Sequence, residues 1–338
     1  MKAIFDDRQR LHDPQHYMAN GKTYPSPEAP ERIARLMAGA QAAGCQFQAP
    51  DDAGLGPIAA IHSAEYLHFL QNIYARWQRI PDAGPEVIPN IHPADRRNNY
   101  PKSALGQAGY HQTDTSCPIG AHTWKAAYWS AQSAITGADL VAGGERAVYV
   151  LSRPPGHHAF TDLAGGFCFL NNSGIAAERL RENGLRPAIL DVDVHHGNGT
   201  QGIFYARDDV LTISLHADPD RFYPFYWGAA QERGEGRGIG YNLNLPLPRG
   251  TGDADYLKTL DTALARIHAF GADVIVVALG LDAHIDDPFK GLAITTPGFQ
   301  VMAEAIARLG LPLVLVQEGG YVSDALSDNL TAFLKGAS

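Results

Sequence analysis

The chain has 338 residues, 45% of them hydrophobic and 19% charged, with 35 glycines. This is an ordinary globular composition, long enough to bury one large core. Its 27 basic against 36 acidic residues leave a formal charge of −9 with no basic block, which argues against a nucleic-acid partner and suits a cationic ligand, although solubility alone would account for it.

Taken in chain order, the N-terminus "MKAIFDDRQRL" has one Lys and no apolar stretch behind it, so no signal peptide is expected. No run approaches the roughly 18 apolar residues of a membrane span. Cys45, Cys117 and Cys168 are odd in number and never form a C-x-x-C pair, which predicts reduced thiols and a cytoplasmic protein. Residues 12–31 and 82–119 are rich in Pro, Asn and Gly, and they read as ordered binding loops. From residue 121 a regular alternation begins. Helical patterns over 121–144, 172–183, 254–270 and 297–310 are interleaved with β-branched runs over 146–151, 187–194, 209–216, 273–280 and 311–320. Pro297 suits a first helical turn, and Gly184 and Gly310 suit C-terminal stops. Strand–helix alternation with continuous apolar strands predicts an α/β protein, one domain over 1–338 with a mainly parallel sheet covered on both faces.

The strands end in unusual company. In "DVDVHHGNGT" (191–200) positions 191, 193 and 195 share one strand face, while Val192 and Val194 share the other. "VLSRPPGHH" brings His157 and His158 just past another strand, "TISLH" ends in Ser214 and His216, "VALGLDAH" in Asp282 and His284, and "VLVQEGGY" in Glu318 and Tyr321. Sites in parallel α/β sheets form outside the carboxyl ends of strands, so five such ends predict one site. "GRGIG" precedes a strand-like segment rather than a helix, and no G-x-S-x-G is present. What remains is rich in oxygen and nitrogen donors. Two carboxylates and one imidazole with an open position suit a catalytic divalent ion, most readily zinc, which would also keep buried Asp193 and Asp282 ionised. Any single buried Asp or His is more often a hydrogen-bonded structural group. His196, on the face opposite His195, reads as structural. His284 reads as a neighbour of the ligands or an additional one, and His62, His111 and His268 as surface or core residues.

The motifs "RPPGHH" (153–158), "GGFCFLNN" (165–172), "DVDVHHGNGT", "ISLH" (213–216), "GLDAHIDDP" (280–288) and "EGGY" (318–321) together resemble the series of the metal-dependent deacetylases. That superfamily includes histone deacetylases and acetylpolyamine amidohydrolases. The resemblance implies the arginase–deacetylase fold and zinc held by Asp193, His195 and Asp282. It implies His157 and His158 beside the reacting water and Tyr321 as donor to the substrate carbonyl. It further implies that Asp191 bonds the first histidine and, with Ser214 and the backbone of Asp193, His195 and Leu215, surrounds a structural potassium ion. Asn198 stands beside the second histidine where some relatives have Asp. The expected reaction agrees with elementary chemistry: an activated water, a base that becomes an acid for the amine, and a preset donor to the carbonyl oxygen.

The Pro-rich "YPSPEAPERI" and the long 82–119 segment resemble the acetylpolyamine branch. That likeness implies a homodimer with a narrowed channel for a slim cationic acetylated amine. Gly166, Phe167 and Tyr223 are the expected acyl-chain tunnel, and Asp114 and Glu28 are the acidic candidates for a distal ammonium, with a solvated loop charge as the alternative reading of either. Two alternatives stand beside this reading: a broader acyl-lysine or small-amide deacylase, and a noncatalytic metal-stabilised binding protein. Only chemistry requires His157, His158 and Tyr321 together, which disfavours the last. An arginase-like two-metal hydrolase is disfavoured because "RPPGHH" adds no second carboxylate-rich ligand set.

Overall fold

The computed structural model of the protein describes residues 1–96 and 99–338. Its strands, in chain order, are β1 (Lys2–Ile4), β2 (His16–Ala19), β3 (Lys22–Pro25), β4 (Gln46–Gln48), β5 (Ala147–Val150), β6 (Pro187–Asp191), β7 (Leu211–Ala217), β8 (Asn242–Leu247), β9 (Val274–Leu279) and β10 (Leu313–Gln317). All but β2 and β3 join one sheet in the order β4-β1-β5-β10-β9-β6-β7-β8, and every neighbouring pair is parallel. The sheet is therefore wholly parallel rather than mainly so.

Side-chain alternation along these strands builds two cores, one on each face. Leu190, Val192, Val194, Ile213, Val277 and Leu315 pack beneath helices Glu31–Ala42, Asp253–Phe270, Thr296–Ala307 and Leu326–Gly336. Ile189, Val150, Val276 and Val316 pack on the other face against Ala64–Trp77, Thr123–Ala142 and Asn172–Glu182. Burial on both faces is what the continuous apolar runs require. The sheet, the two cores and the flanking helices make one α/β domain of the expected class.

The expected strand 187–194 stops at Asp191, for a chemical reason. Val192 N–H still donates to Ala278 O (3.0 Å). The next amides turn to carboxylates instead: Asp193 N–H to Asp191 Oδ1, Val194 N–H to Asp282 Oδ1 and His195 N–H to Asp193 Oδ1. Side-chain acceptors replace the backbone ladder where the site begins.

The two irregular segments are more ordered than loops. Within 12–31, β2 and β3 form an antiparallel hairpin closed by Asn20 (φ 52°) and Gly21 (φ 71°), the Asn-Gly pair that tight hairpin turns favour. Within 82–119 lies helix Ala104–His111, capped by Ser103; Arg97 and Asn98 of this segment lie outside the described residues. No helix among the described residues is long and apolar enough to cross a membrane.

Candidate active site

At the carboxyl edge of β6 and β9, Asp193, His195 and Asp282 present ligand atoms that all lie within 4.8 Å of one another. His195 Nδ1 faces both carboxylates, 3.1 Å from Asp193 Oδ1 and 3.3 Å from Asp282 Oδ2. Both carboxylates are wholly buried. Asp193 Oδ2 accepts the Gly319 N–H at 2.8 Å, whereas buried Asp282 Oδ2 has no hydrogen-bond donor among the described residues. Gly319 is required here: a Cβ would fall 2.1 Å from Asp282 Oδ2. Burial opposes charge on His195, but the adjoining Asp193 and Asp282 carboxylates outweigh this and push it up to about 9. Burial and the Asp193 charge hold Asp282 above the usual carboxylate range. A proton thus balances two buried carboxylates, the position a divalent cation takes when it displaces that proton. The donor set fits one.

His157 and His158 follow β5 with ring centroids 4.0 Å apart. His157 Nδ1 is 2.9 Å from Asp191 Oδ2, and His158 Nδ1 is 2.7 Å from Asn198 Oδ1. One histidine therefore has an anionic partner and the other a neutral one. Burial disfavours the charged form of both. The Asp193 and Asp191 carboxylates override it at His157, pushing it up to about 10, while the charges of His157 and His195 lower His158 further. Tyr321, after β10, is kept far above the usual phenol range by burial and by Asp282, so its hydroxyl stays a donor. Its ring meets Phe289 edge-on at 4.9 Å and Phe167 at 5.8 Å.

A pocket of about 680 Å³ opens above these groups. His158, His195, Asn198 and Tyr321 lie at its walls, with Gly166, Phe167, Tyr223 and Asp114. Phe167 holds a left-handed backbone (φ 69°), a conformation a bulky residue adopts at some cost. At Gly166 (φ 50°) a Cβ would strike His158 Cδ2 at 2.4 Å. The Tyr223 ring stands perpendicular to His158 at 4.9 Å.

The family model for the histone deacetylase domain matches residues 26–337. The chain belongs to the histone deacetylase family. It is 48% identical to the acetylpolyamine amidohydrolase of Burkholderia pseudomallei, over 99% of this chain and 98% of that protein. It is 42% identical to acetylpolyamine amidohydrolase 1 of Pseudomonas aeruginosa, over 99% and 98%. The crystal structure of the B. pseudomallei acetylpolyamine aminohydrolase, from an iodide soak, superposes with a TM-score of 0.97 over 100% of this chain and 98% of that one. The expected fold and family membership both hold.

Within this deacetylase-family chain the candidate residues converge, with qualifications. Asp191 and Ser214 are register partners across β6 and β7, and both line a cavity of about 10 Å³, room for one water-sized species. Asp114 lies in the pocket wall, but its carboxylate already accepts from Tyr223 OH (2.7 Å), Gly166 N–H (3.1 Å) and Ser116 N–H (2.7 Å). Glu28 is corrected outright: it is fully buried and ion-paired to Arg32 and Arg153, so no substrate ammonium reaches it. His284 stands apart from the ligand group, with its ring stacked on Phe299 at 6.3 Å. His196 is buried against Gln201 and Asn244.

Sequence reasoning gave no role to several residues. Asp287 accepts the N–H groups of Phe289 (2.9 Å) and Tyr321 (3.2 Å), and so anchors a pocket wall and the tyrosine together. Glu318 Oε2 accepts the N–H of Gly156 (2.6 Å) and His157 (3.0 Å). Around the expected Tyr223, the rest of the aromatic run 222–227 lines the pocket with Tyr17, Phe160 and Phe289. Five aromatic side chains within those six residues were the available signal.

Proposed function

We propose that this chain is a zinc-dependent amidohydrolase that removes acetyl groups from N-acetylated diamines and polyamines, giving acetate and the free amine. One observation carries the reading: a single aromatic-walled pocket has a two-carboxylate, one-imidazole group at its base, flanked by His158 and Tyr321. The names of the relatives support the substrate class, and the general zinc dependence of the family supports the metal. Asp193, His195 and Asp282 would hold the zinc. When bound, it supplies Lewis-acid polarisation of an amide carbonyl and a water activated at neutral pH.

The chain's own groups divide the remaining work. With Nδ1 committed to Asn198, His158 offers Nε2 to the pocket, where it takes a proton from water and returns it to the leaving amine. His157, tied to Asp191, lies behind it and sets the charge around that transfer. The Tyr321 hydroxyl donates to the carbonyl oxygen as negative charge develops there. Gly166 lets the wall approach His158 closely. Phe167 and Tyr223 flank the alkyl chain and can face a cationic amine through their rings, and Asp114 keeps Tyr223 and Gly166 in register. Asp191, Ser214 and the Leu215 carbonyl would hold potassium, a reading supported by the Asp191–Ser214 pairing and the small cavity beside it.

The functional form we propose is a homodimer in the cytoplasm. Exposed Met18, Phe225 and Tyr226 beside the pocket support the dimer, and three free cysteines support the reducing compartment. A second reading, a broader acyl-lysine deacylase, is favoured by the pocket's breadth in a single chain. Comparing kcat/KM for acetylputrescine, acetylcadaverine, acetylspermidine and an acetyl-lysine peptide tests the choice. The polyamine reading requires the small amines to win, and a peptide that matches them supports the second reading. Light scattering tests the dimer, and a monomeric mass removes the narrowed channel.

A further inference from the structure

Beneath the site lies a charged cluster that no catalytic step uses. Glu28, Arg32 and Arg153 are each wholly buried. Glu28 Oε1 is 2.6 Å from Arg32 Nη1, and Glu28 Oε2 is 2.9 Å from Arg153 Nη2. His12 Nε2 stands 3.7 Å from the same Oε2.

The two guanidiniums belong to different walls of the site. Arg32 donates from Nε to Gly320 O and from Nη2 to Glu318 O, each at 2.6 Å, and its guanidinium carbon lies 5.0 Å from the Tyr321 ring centroid. It therefore grips the turn 318–320 that delivers Tyr321. Arg153 opens the segment Arg153–His158 that delivers both histidines; its Nη1 donates to Gln9 O at 3.0 Å and its Nη2 to Glu28 O at 3.1 Å. Across the top, the Glu318 carboxylate accepts from Gly156 and His157 N–H. The contacts close into a ring: Glu28 to Arg32, Arg32 to the 318–320 carbonyls, Glu318 to the histidine segment, and Arg153 back to Glu28.

We propose that Glu28 is a positioning residue which, through Arg32, fixes the Tyr321 turn against the segment bearing His157 and His158. This rests on the roles proposed above for those three side chains. A guanidinium with three of its nitrogens engaged in one plane has little freedom to shift. Glu28 orients that plane by holding Nη1, and Arg153 holds Glu28. Without the carboxylate, two like charges face each other and the fork loses its reference point. A displacement of about 1 Å in a catalytic group costs on the order of 10²-fold in rate.

The test is a double-mutant cycle between Glu28→Gln and Tyr321→Phe, with kcat, KM and bound zinc measured for each variant. In the wild-type background Glu28→Gln should lower kcat by about 10- to 100-fold, with KM within about threefold and zinc retained. In the Tyr321→Phe background the hydroxyl to be positioned is gone, so the same substitution should cost less than about threefold. An equal loss in both backgrounds, an unchanged kcat, or loss of zinc with activity each overturns the proposal. If Glu28→Gln does not fold, Arg32→Lys serves in the same cycle. It keeps the charge beside Glu28, but one ammonium cannot reproduce the planar fork. Normal turnover in Tyr321→Phe alone would remove the role of Tyr321 and the brace with it. A slow Tyr321→Phe with additive Glu28→Gln removes only the brace.

Discussion

Two buried charge clusters lie within one molecule, and their arithmetic is opposite. At the edge of β6 and β9, Asp193 and Asp282 bring two carboxylates to one imidazole, and Asp282 Oδ2 has no hydrogen-bond donor among the described residues. Under the loops after β5 and β10, Glu28 brings one carboxylate to two guanidiniums, and Arg32 spends its remaining donors on the carbonyls of Glu318 and Gly320. The first cluster sets one imidazole against two carboxylates, a net shortage of positive charge, and opens through His195 onto a pocket. The second supplies its own counter-charge and shows no exposed side chain. Burial alone does not mark a functional site, because both clusters are buried. A deficit of charge beside an opening does, since burying uncompensated carboxylates is costly until a cation arrives.

The contrast breaks most sharply on removal of the deficit's owners. Asp193→Ala, His195→Ala and Asp282→Ala should each abolish metal binding and lower turnover by more than about 10³-fold, while far-ultraviolet circular dichroism stays native. Chelation of the unmodified enzyme should match that loss, with recovery on adding zinc. Stoichiometric metal in all three purified variants would sink the ligand assignment.

The carboxylate-rich cluster was legible in the sequence and the guanidinium-rich one was not, for a physical reason. The period of two puts Asp191, Asp193 and His195 on one face of the expected strand, and the carboxyl-edge rule for parallel sheets gathers Asp282, His157, His158 and Tyr321 without any long-range pairing being known. The carbonyl partners of Arg32 lie 286 and 288 residues away in the chain, and no local pattern encodes which carbonyls a guanidinium will meet. Glu28 misled because "SPEAPER" reads as a solvated, Pro-rich loop, whereas the fold buries it. Asp114 looked available because its sequence context does not show the Tyr223 hydroxyl and the Gly166 amide it already serves. The hairpin β2–β3 carried its Asn20–Gly21 signal openly, yet its strands are short and lack apolar alternation.

Next in size is the tyrosine that both clusters bear upon. Tyr321→Phe should retain metal and substrate binding but lose about 10²–10³-fold in kcat, the usual worth of a donor aimed at developing charge. Turnover near normal would move that role elsewhere. Asp287→Asn probes the other anchor of the same residue. An amide can accept through one oxygen only, so one of the two N–H groups, Phe289 or Tyr321, loses its partner. About a tenfold fall in kcat and about 1–3 kcal/mol of stability are expected. A variant with stability reduced but kcat unchanged would restrict Asp287 to the fold.

The smallest effect separates the self-balanced cluster from the site by pH. Burial raises the Glu28 carboxyl, but the Arg153 and Arg32 charges outweigh burial and hold it below its ordinary value of 4.5. A depressed carboxylate adds stability that is fully present above the unfolded-state pKa and is lost as pH falls through the folded-state one. Glutamine at position 28 mimics the protonated form and has no such dependence. The difference in unfolding free energy between wild type and Glu28→Gln should therefore be constant from neutral pH down to about 5. Below that it should narrow by about 1.4 kcal/mol for each pH unit until the folded-state pKa is passed. Urea titrations of both proteins at pH 7, 5 and 4 measure it. A gap that stays the same at pH 4 would mean that Glu28 keeps its proton state through folding, and that the two arginines do not feel it as a charge.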